Sequence, residues 1–110
     1  MVKFKGDVKM RKTNQKYQEI LKLDKMLSEA NIPHILRRSF SGWQVCYPEF
    51  DTSTRVCSAI EHSFSYGSDE DLIEIMGLLE EGEGDGEVVG YLTAGEVFRR
   101  IKKHYERCRK

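Results

Sequence analysis

The chain has 110 residues and a hydrophobic fraction of 39%, which fits one domain around one modest core. Lys and Arg number 18 and so do Asp and Glu, giving zero formal charge, and the longest apolar run is three residues, far too short to span a bilayer. The opening Met1-Val2-Lys3-Phe4-Lys5-Gly6 lacks the apolar stretch of a secretory signal, and Cys46, Cys57 and Cys108 follow no disulfide-framework spacing, which fits reduced thiols and a cytoplasmic location.

Residues 1–12 are basic and aperiodic, with only Val2, Phe4 and Val8 apolar besides the methionines, and read as a mobile arm or an extra edge segment. Residues 13–107 read as a single α+β domain. A first helix is capped by Thr13 or Asn14. It buries Ile20, Leu23, Leu27 and Ala30, with Tyr17 one turn earlier. Asn31 suits the left-handed position after the helix, Ile32 can fold back on Leu27, and Pro33 forbids continuation. A hairpin follows: His34–Ser39 and Trp43–Tyr47 flank Phe40-Ser41-Gly42, with Trp43, Val45 and Tyr47 on one face, Gln44 and Cys46 on the other, and Pro48 as the stop. Residues 49–54 read as a polar connection. Residues 55–66 fit strand and helix templates about equally. Strand is favoured, because Ser63–Gly67 is poor in helix formers and a lone hairpin is marginal in water. As a strand it sets Val56, Ser58, Ile60, His62, Phe64 and Tyr66 on one face.

Ser68-Asp69-Glu70-Asp71 then carries the chemistry of a helix start, with Leu72, Ile75, Met76 and Leu79 as the buried stripe of a second helix. Residues 81–87 alternate acids with glycine and read as a flexible loop. Val88–Leu92 is a short extended segment, and Thr93-Ala94-Gly95-Glu96 is a capping box opening a third helix lined by Val97, Phe98, Ile101 and Tyr105. The expected architecture is a small antiparallel three-stranded sheet with helices on one face, in the order α-β-β-β-α-α. Its open edge points to a homodimer. Trp43 is expected either in the core against Leu23 or Leu27, or on the open face as a stacking platform beside Arg38 or Arg55.

The zero net charge is segregated. The first 25 residues hold eight Lys/Arg against three acids, residues 61–96 hold eleven acids and no Lys or Arg, and residues 99–110 hold seven Lys/Arg, one His and one Glu. Three explanations stay open: solvated faces and helix ends, a basic face for nucleic acid or a phosphorylated ligand, and steering of a charged protein partner.

Four segments together carry a resemblance: Gly42-Trp43-Gln44-Val45-Cys46-Tyr47-Pro48, Ser65-Tyr66-Gly67, Asp71-Leu72-Ile73-Glu74-Ile75-Met76-Gly77 and Val89-Gly90-Tyr91-Leu92-Thr93-Ala94. Over roughly residues 14–105 the chain resembles small proteins without assigned activity encoded in phages and prophages of Gram-positive bacteria. The resemblance transfers no catalytic or binding residue. It implies the cytoplasm of a bacterial host and an accessory role, counter-defence or host-modulating, exercised by binding a host protein or a nucleotide-like signal.

Catalytic and metal chemistry find little footing. Glu81, Glu83, Asp85 and Gly86 sit at the first, third, fifth and sixth places of a calcium loop, but the twelfth is Leu92 where a bidentate Glu is needed. His34, Cys46, Cys57 and His62 lack the paired short spacings of a zinc site, and the two cysteines suit small core positions. Glu61-His62 beside Ser63 or Ser65 has triad residue types, as does His62 with Cys46 or Cys57, but neighbours on a strand face opposite ways. The expectation is no enzyme, no metal and no cofactor.

Anion binding is the best candidate. Arg37, Arg38 and Arg55 fall on adjacent expected strands, and an Arg fork suits phosphate while Trp43, Tyr47, Phe64 or Tyr66 can stack a base. Tyr66-Gly67-Ser68 leads into an expected helix N-terminus, a usual place for phosphate. The candidate ligand-binding residues are thus Arg37, Arg38, Arg55, His62 and Tyr66. The alternative is a nucleic-acid-associated protein that uses both basic termini for phosphate contact.

Overall fold

Among the described residues, two helices and five strands follow one another as α1 (Gln18–Glu29), β1 (Ile35–Ser39), β2 (Gly42–Tyr47), β3 (Cys57–Glu61), β4 (Ile73–Met76), β5 (Val88–Leu92) and α2 (Ala94–Cys108). They are seen in a computed structural model that describes residues 16–84 and 87–109. The basic segment 1–12 and the expected caps Thr13 and Asn14 lie outside those residues. All neighbouring strands are antiparallel, in the spatial order β1-β2-β3-β4-β5. The α+β class therefore stands, and the described residues hold five strands rather than three, in the order α-β-β-β-β-β-α. Among the described residues no helix is long and apolar enough to cross a membrane.

Pairing sets the two sheet faces. Val45 lies opposite Ala59, Ala59 opposite Ile75, and Tyr47 opposite Cys57, all on the side where α1 and α2 pack. Ile20, Leu23 and Leu27 of α1 and Val97 and Ile101 of α2 complete that core, each fully removed from solvent. Ala30, expected in the stripe, is exposed just beyond the end of α1. Asn31 takes φ 59°, and Ile32 donates its N–H to Leu27 O at 3.0 Å, the fold-back expected before Pro33. Gly42 is required where β2 begins, because a Cβ there would stand 1.9 Å from Glu61 O. Trp43 is part-buried on the helix side at the margin of the core, with the Arg38 guanidinium 4.6 Å over its ring.

Two expectations need correction. The second helix is absent: Ser68–Glu70 makes one 3-10 turn and the chain then enters β4. Asp71 ends that turn at φ 59°, and its N–H goes to the Ser68 carbonyl rather than to a side-chain cap. Ile73 and Ile75, alternating with Glu74 and Met76, bury one face of an extended chain, which outweighs a helical stripe weakened by Gly77. Of the strand expected over 55–66 only 57–61 forms, because residues 62–66 turn into the β3–β4 loop and carry His62, Phe64 and Tyr66 off the sheet. The buried parity is Cys57, Ala59 and Glu61, not the Val56-Ser58-Ile60 set.

The helices run side by side with both N-termini at one end of the sheet. Glu61 Oε1 accepts the Ile20 N–H at 2.9 Å and so caps α1 from β3, where Tyr17 supplies no side-chain cap. Glu19 of α1 in turn accepts the Ala94 N–H at 2.7 Å, and the Thr93–Glu96 capping box completes the start of α2. At the other end, the Tyr47 hydroxyl and His104 Nδ1 lie 2.8 Å apart and tie β2 to α2.

Candidate ligand site on the open sheet face

The face turned away from the helices carries β1, β2 and β3 side chains in register: Arg37 opposite Gln44, and Cys46 opposite Ser58. Arg37 Nη1 donates to Gln44 Oε1 at 2.7 Å, and Gln44 Nε2 donates to Ser58 Oγ at 2.8 Å, a polar ladder over three strands. Beside it stands Phe50, half-exposed, with the Arg37 guanidinium 4.6 Å and the Arg55 guanidinium 5.9 Å from its ring centroid.

A tight turn between β2 and β3 places Phe50 and Arg55. Asp51 Oδ1 accepts the N–H and hydroxyl of Ser53, both at 2.9 Å, and Asp51 O accepts the N–H of Arg55 at 2.8 Å. The bond from the Ser53 N–H holds the Asp51 carboxyl below its usual range. Thr54 Oγ1 occupies the Glu49 carboxylate at 2.6 Å. Arg55 Nη1 then reaches back to Phe50 O at 3.3 Å and lies 3.5 Å from Cys46 Sγ. An open hollow of about 310 Å³ adjoins this group, walled by Thr52, Arg55, Val56, Ser58 and Met76 among others. Two guanidinium groups, one phenyl face and the Gln44–Ser58 pair can receive an anion joined to a flat ring.

The five expected site residues thus divide. Arg37 and Arg55 come together at Phe50. Arg38 points to the helix side and covers Trp43. His62 is 5% exposed near the far end of β3, where its Nδ1 accepts the Phe64 N–H at 3.1 Å. Tyr66 is exposed, with its N–H on Glu74 Oε1 at 2.8 Å and its carbonyl taking the Tyr91 N–H at 3.3 Å. The phosphate argument at Ser68 falls with the missing helix, since one 3-10 turn offers no helical N-terminus. Phe50, Gln44 and Ser58 join the site from outside the expected set. Phe50 is the lone apolar residue in a segment that reads as polar, and Gln44 and Ser58 acquire their roles only through cross-strand register.

Other candidates are placed apart or otherwise engaged. His34 Nε2 lies 2.8 Å from Asp24 and its Nδ1 lies 2.8 Å from Ile32 O, pinning the end of α1. Cys46 and Cys57 lie on opposite sheet faces, and no group of three or more metal-ligating side chains is placed to hold an ion among the described residues. Burial pushes the Cys57 thiol up to about 12, far from a nucleophilic thiolate. In the acidic loop expected to be flexible, Glu83 is tethered: both its carboxylate oxygens take the Arg100 guanidinium, at 2.6 and 2.5 Å. Arg99 pairs with Glu80, and Lys102 with Glu106. Three of the basic groups of α2 therefore already have carboxylate partners. No protein-family model, curated protein or solved structure matches the chain.

Proposed function

We propose that this chain is a non-enzymatic binding protein, an accessory factor of phage type, that takes a nucleotide-like ligand on its open sheet face. One observation carries the reading: Arg37 from β1 and Arg55 from the β2–β3 turn meet at the ring of Phe50 beside the open hollow. A phosphate binds the two guanidinium groups, a base stacks on Phe50, and Gln44 and Ser58 offer hydrogen bonds to polar edges. A binding role rather than catalysis is supported by His62, whose Nδ1 is spent on a backbone N–H, and by the protonated Cys57. In a phage setting the effect would be to sequester a host signal. Isothermal titration calorimetry with mono-, di- and cyclic nucleotides, and with inorganic phosphate, tests the reading. Arg37→Glu, Arg55→Glu and Phe50→Ala should each weaken nucleotide binding about tenfold or more, with Phe50→Ala leaving phosphate binding unchanged. No heat with any nucleotide, or full binding by the arginine variants, refutes it.

A further inference from the structure

The end of the sheet that holds the β1–β2 turn and the β3–β4 loop presents aromatic rings that neither the backbone nor the core requires. Phe40 is the first residue of the two-residue turn closing Ser39 onto Gly42, at φ 50°, where glycine or asparagine is the ordinary occupant. Its side chain gains no burial in return, being 74% exposed, and Phe64 of the facing loop is 75% exposed. The two rings meet edge to face with centroids 5.3 Å apart, and the His62 ring stands 4.9 Å from that of Phe40.

Their placement is fixed by hydrogen bonds beneath them. Ser41 Oγ accepts the Ser63 N–H at 3.0 Å and lies 3.2 Å from the Tyr17 hydroxyl. Ser65 Oγ accepts the His62 N–H at 3.1 Å and donates to His62 O at 2.9 Å. An exposed aromatic pair held in advance is the form an interface anchor takes, because little ordering remains for the binding step.

Charge selects the occupant. The same loop continues through Asp69, Glu70 and Asp71, all exposed, and residues 61–96 contain no Lys or Arg. The cations at this end, Arg38 and Lys16, lie over the rings of Trp43 and Tyr17. The carboxylates of the loop and the phenyl faces then favour a cation over a nucleic acid or an anionic lipid surface. We propose that Phe40 and Phe64, with the acidic turn further along the same loop, dock a lysine- or arginine-bearing segment of a partner protein that seats an apolar side chain between its cations. The surface is separate from the Arg37–Arg55 site and of opposite charge, so the two act independently.

The test uses the full chain and a short fluorescein-labelled peptide alternating arginine with leucine, read by anisotropy, with a glutamate-for-arginine peptide as control. The parent should bind the basic peptide and not the acidic one, more weakly as salt rises. Phe40→Gly should reduce affinity about tenfold while holding or raising the melting temperature, because glycine relieves the positive φ. Phe64→Ala should act alike at unchanged melting temperature, Asp69→Asn with Glu70→Gln should flatten the salt dependence, and Arg55→Glu should leave the affinity as it is. Equal binding by the parent and both aromatic variants, no binding of the basic peptide at low ionic strength, or preference for the acidic peptide overturns the proposal. So does a dimer, seen by light scattering, that Phe40→Gly dissolves, since the occupant is then a second copy.

Discussion

Arg100 lies on the inner side of α2, 6% exposed, and its charge there is tolerable only because Glu83 reaches it from the β4–β5 loop with both oxygens. Leu78 O accepts a further bond at 3.1 Å, and Glu80 stands off at 3.8 Å on a half-exposed side chain. The guanidinium beside it holds the Glu83 carboxyl down at about 2. Removing one partner strands the other, whereas removing both exchanges a desolvated pair for apolar contact. Glu83→Ala should therefore cost about 3 kcal/mol, and Arg100→Met added to Glu83→Leu should recover most of that loss. Urea denaturation of the single and double variants checks both statements. A Glu83→Ala protein as stable as the parent would show the pair to be a surface contact of little worth.

Ile75 belongs to both the helical stripe and the strand alternation of β4, so the two templates part at Ile73 and Met76. In the strand Ile73 is fully buried and Met76 half-exposed on the open face. Ile73→Ala should cost roughly 2–4 kcal/mol and Met76→Lys no more than about half a kcal/mol, where a helix would reverse the pair. Denaturant midpoints decide. The elements legible in the sequence are those whose signals are local: the α1 stripe with its Asn31–Pro33 stop, the alternation of β2 up to Pro48, and the Thr93–Glu96 box. Val88–Leu92 is legible as an extended segment too, though not its pairing. The β4 strand is not legible, because its partners are distant in the chain and pairing outweighs the helix-start chemistry of Ser68–Asp71, which yields only one 3-10 turn. The parity of β3 misleads because an acid, Glu61, sits on its core face. Arg37 and Arg55 are visible as cations, but the register that brings them to Phe50, and the turn geometry of Asp51, are tertiary facts.

At the scale of the molecule, α1 and α2 bring their positive ends together, and this end gathers the carboxylates of Glu19, Glu61 and Glu96. Glu61 is fully buried, and its Oε2 has no hydrogen-bond partner among the described residues. Burial pushes its carboxyl up to about 7 from an ordinary 4.5, Asp71 and Glu19 add to the rise, and the Ile20 N–H offsets part of it. Glu83, at the opposite end, is shifted the other way, to about 2. The signs then give a peaked stability curve. As pH rises from about 2 to 4.5 the unfolded chain holds the Glu83 proton longer than the native one, so stability climbs. From 4.5 to about 7 the native chain keeps the Glu61 proton that the unfolded chain has lost, so stability falls, by on the order of 3 kcal/mol in all, and levels off above. Glu61→Gln keeps an oxygen for the Ile20 N–H but carries no charge to bury. It should flatten the fall between pH 4.5 and 7, leaving a variant more stable than the parent at pH 8 and no more stable at pH 4.5. Guanidinium denaturation at fixed pH measures this directly. A parent whose stability stays level or rises between pH 5 and 7.5 would mean that Glu61 is ionised throughout, its charge held by the start of α1.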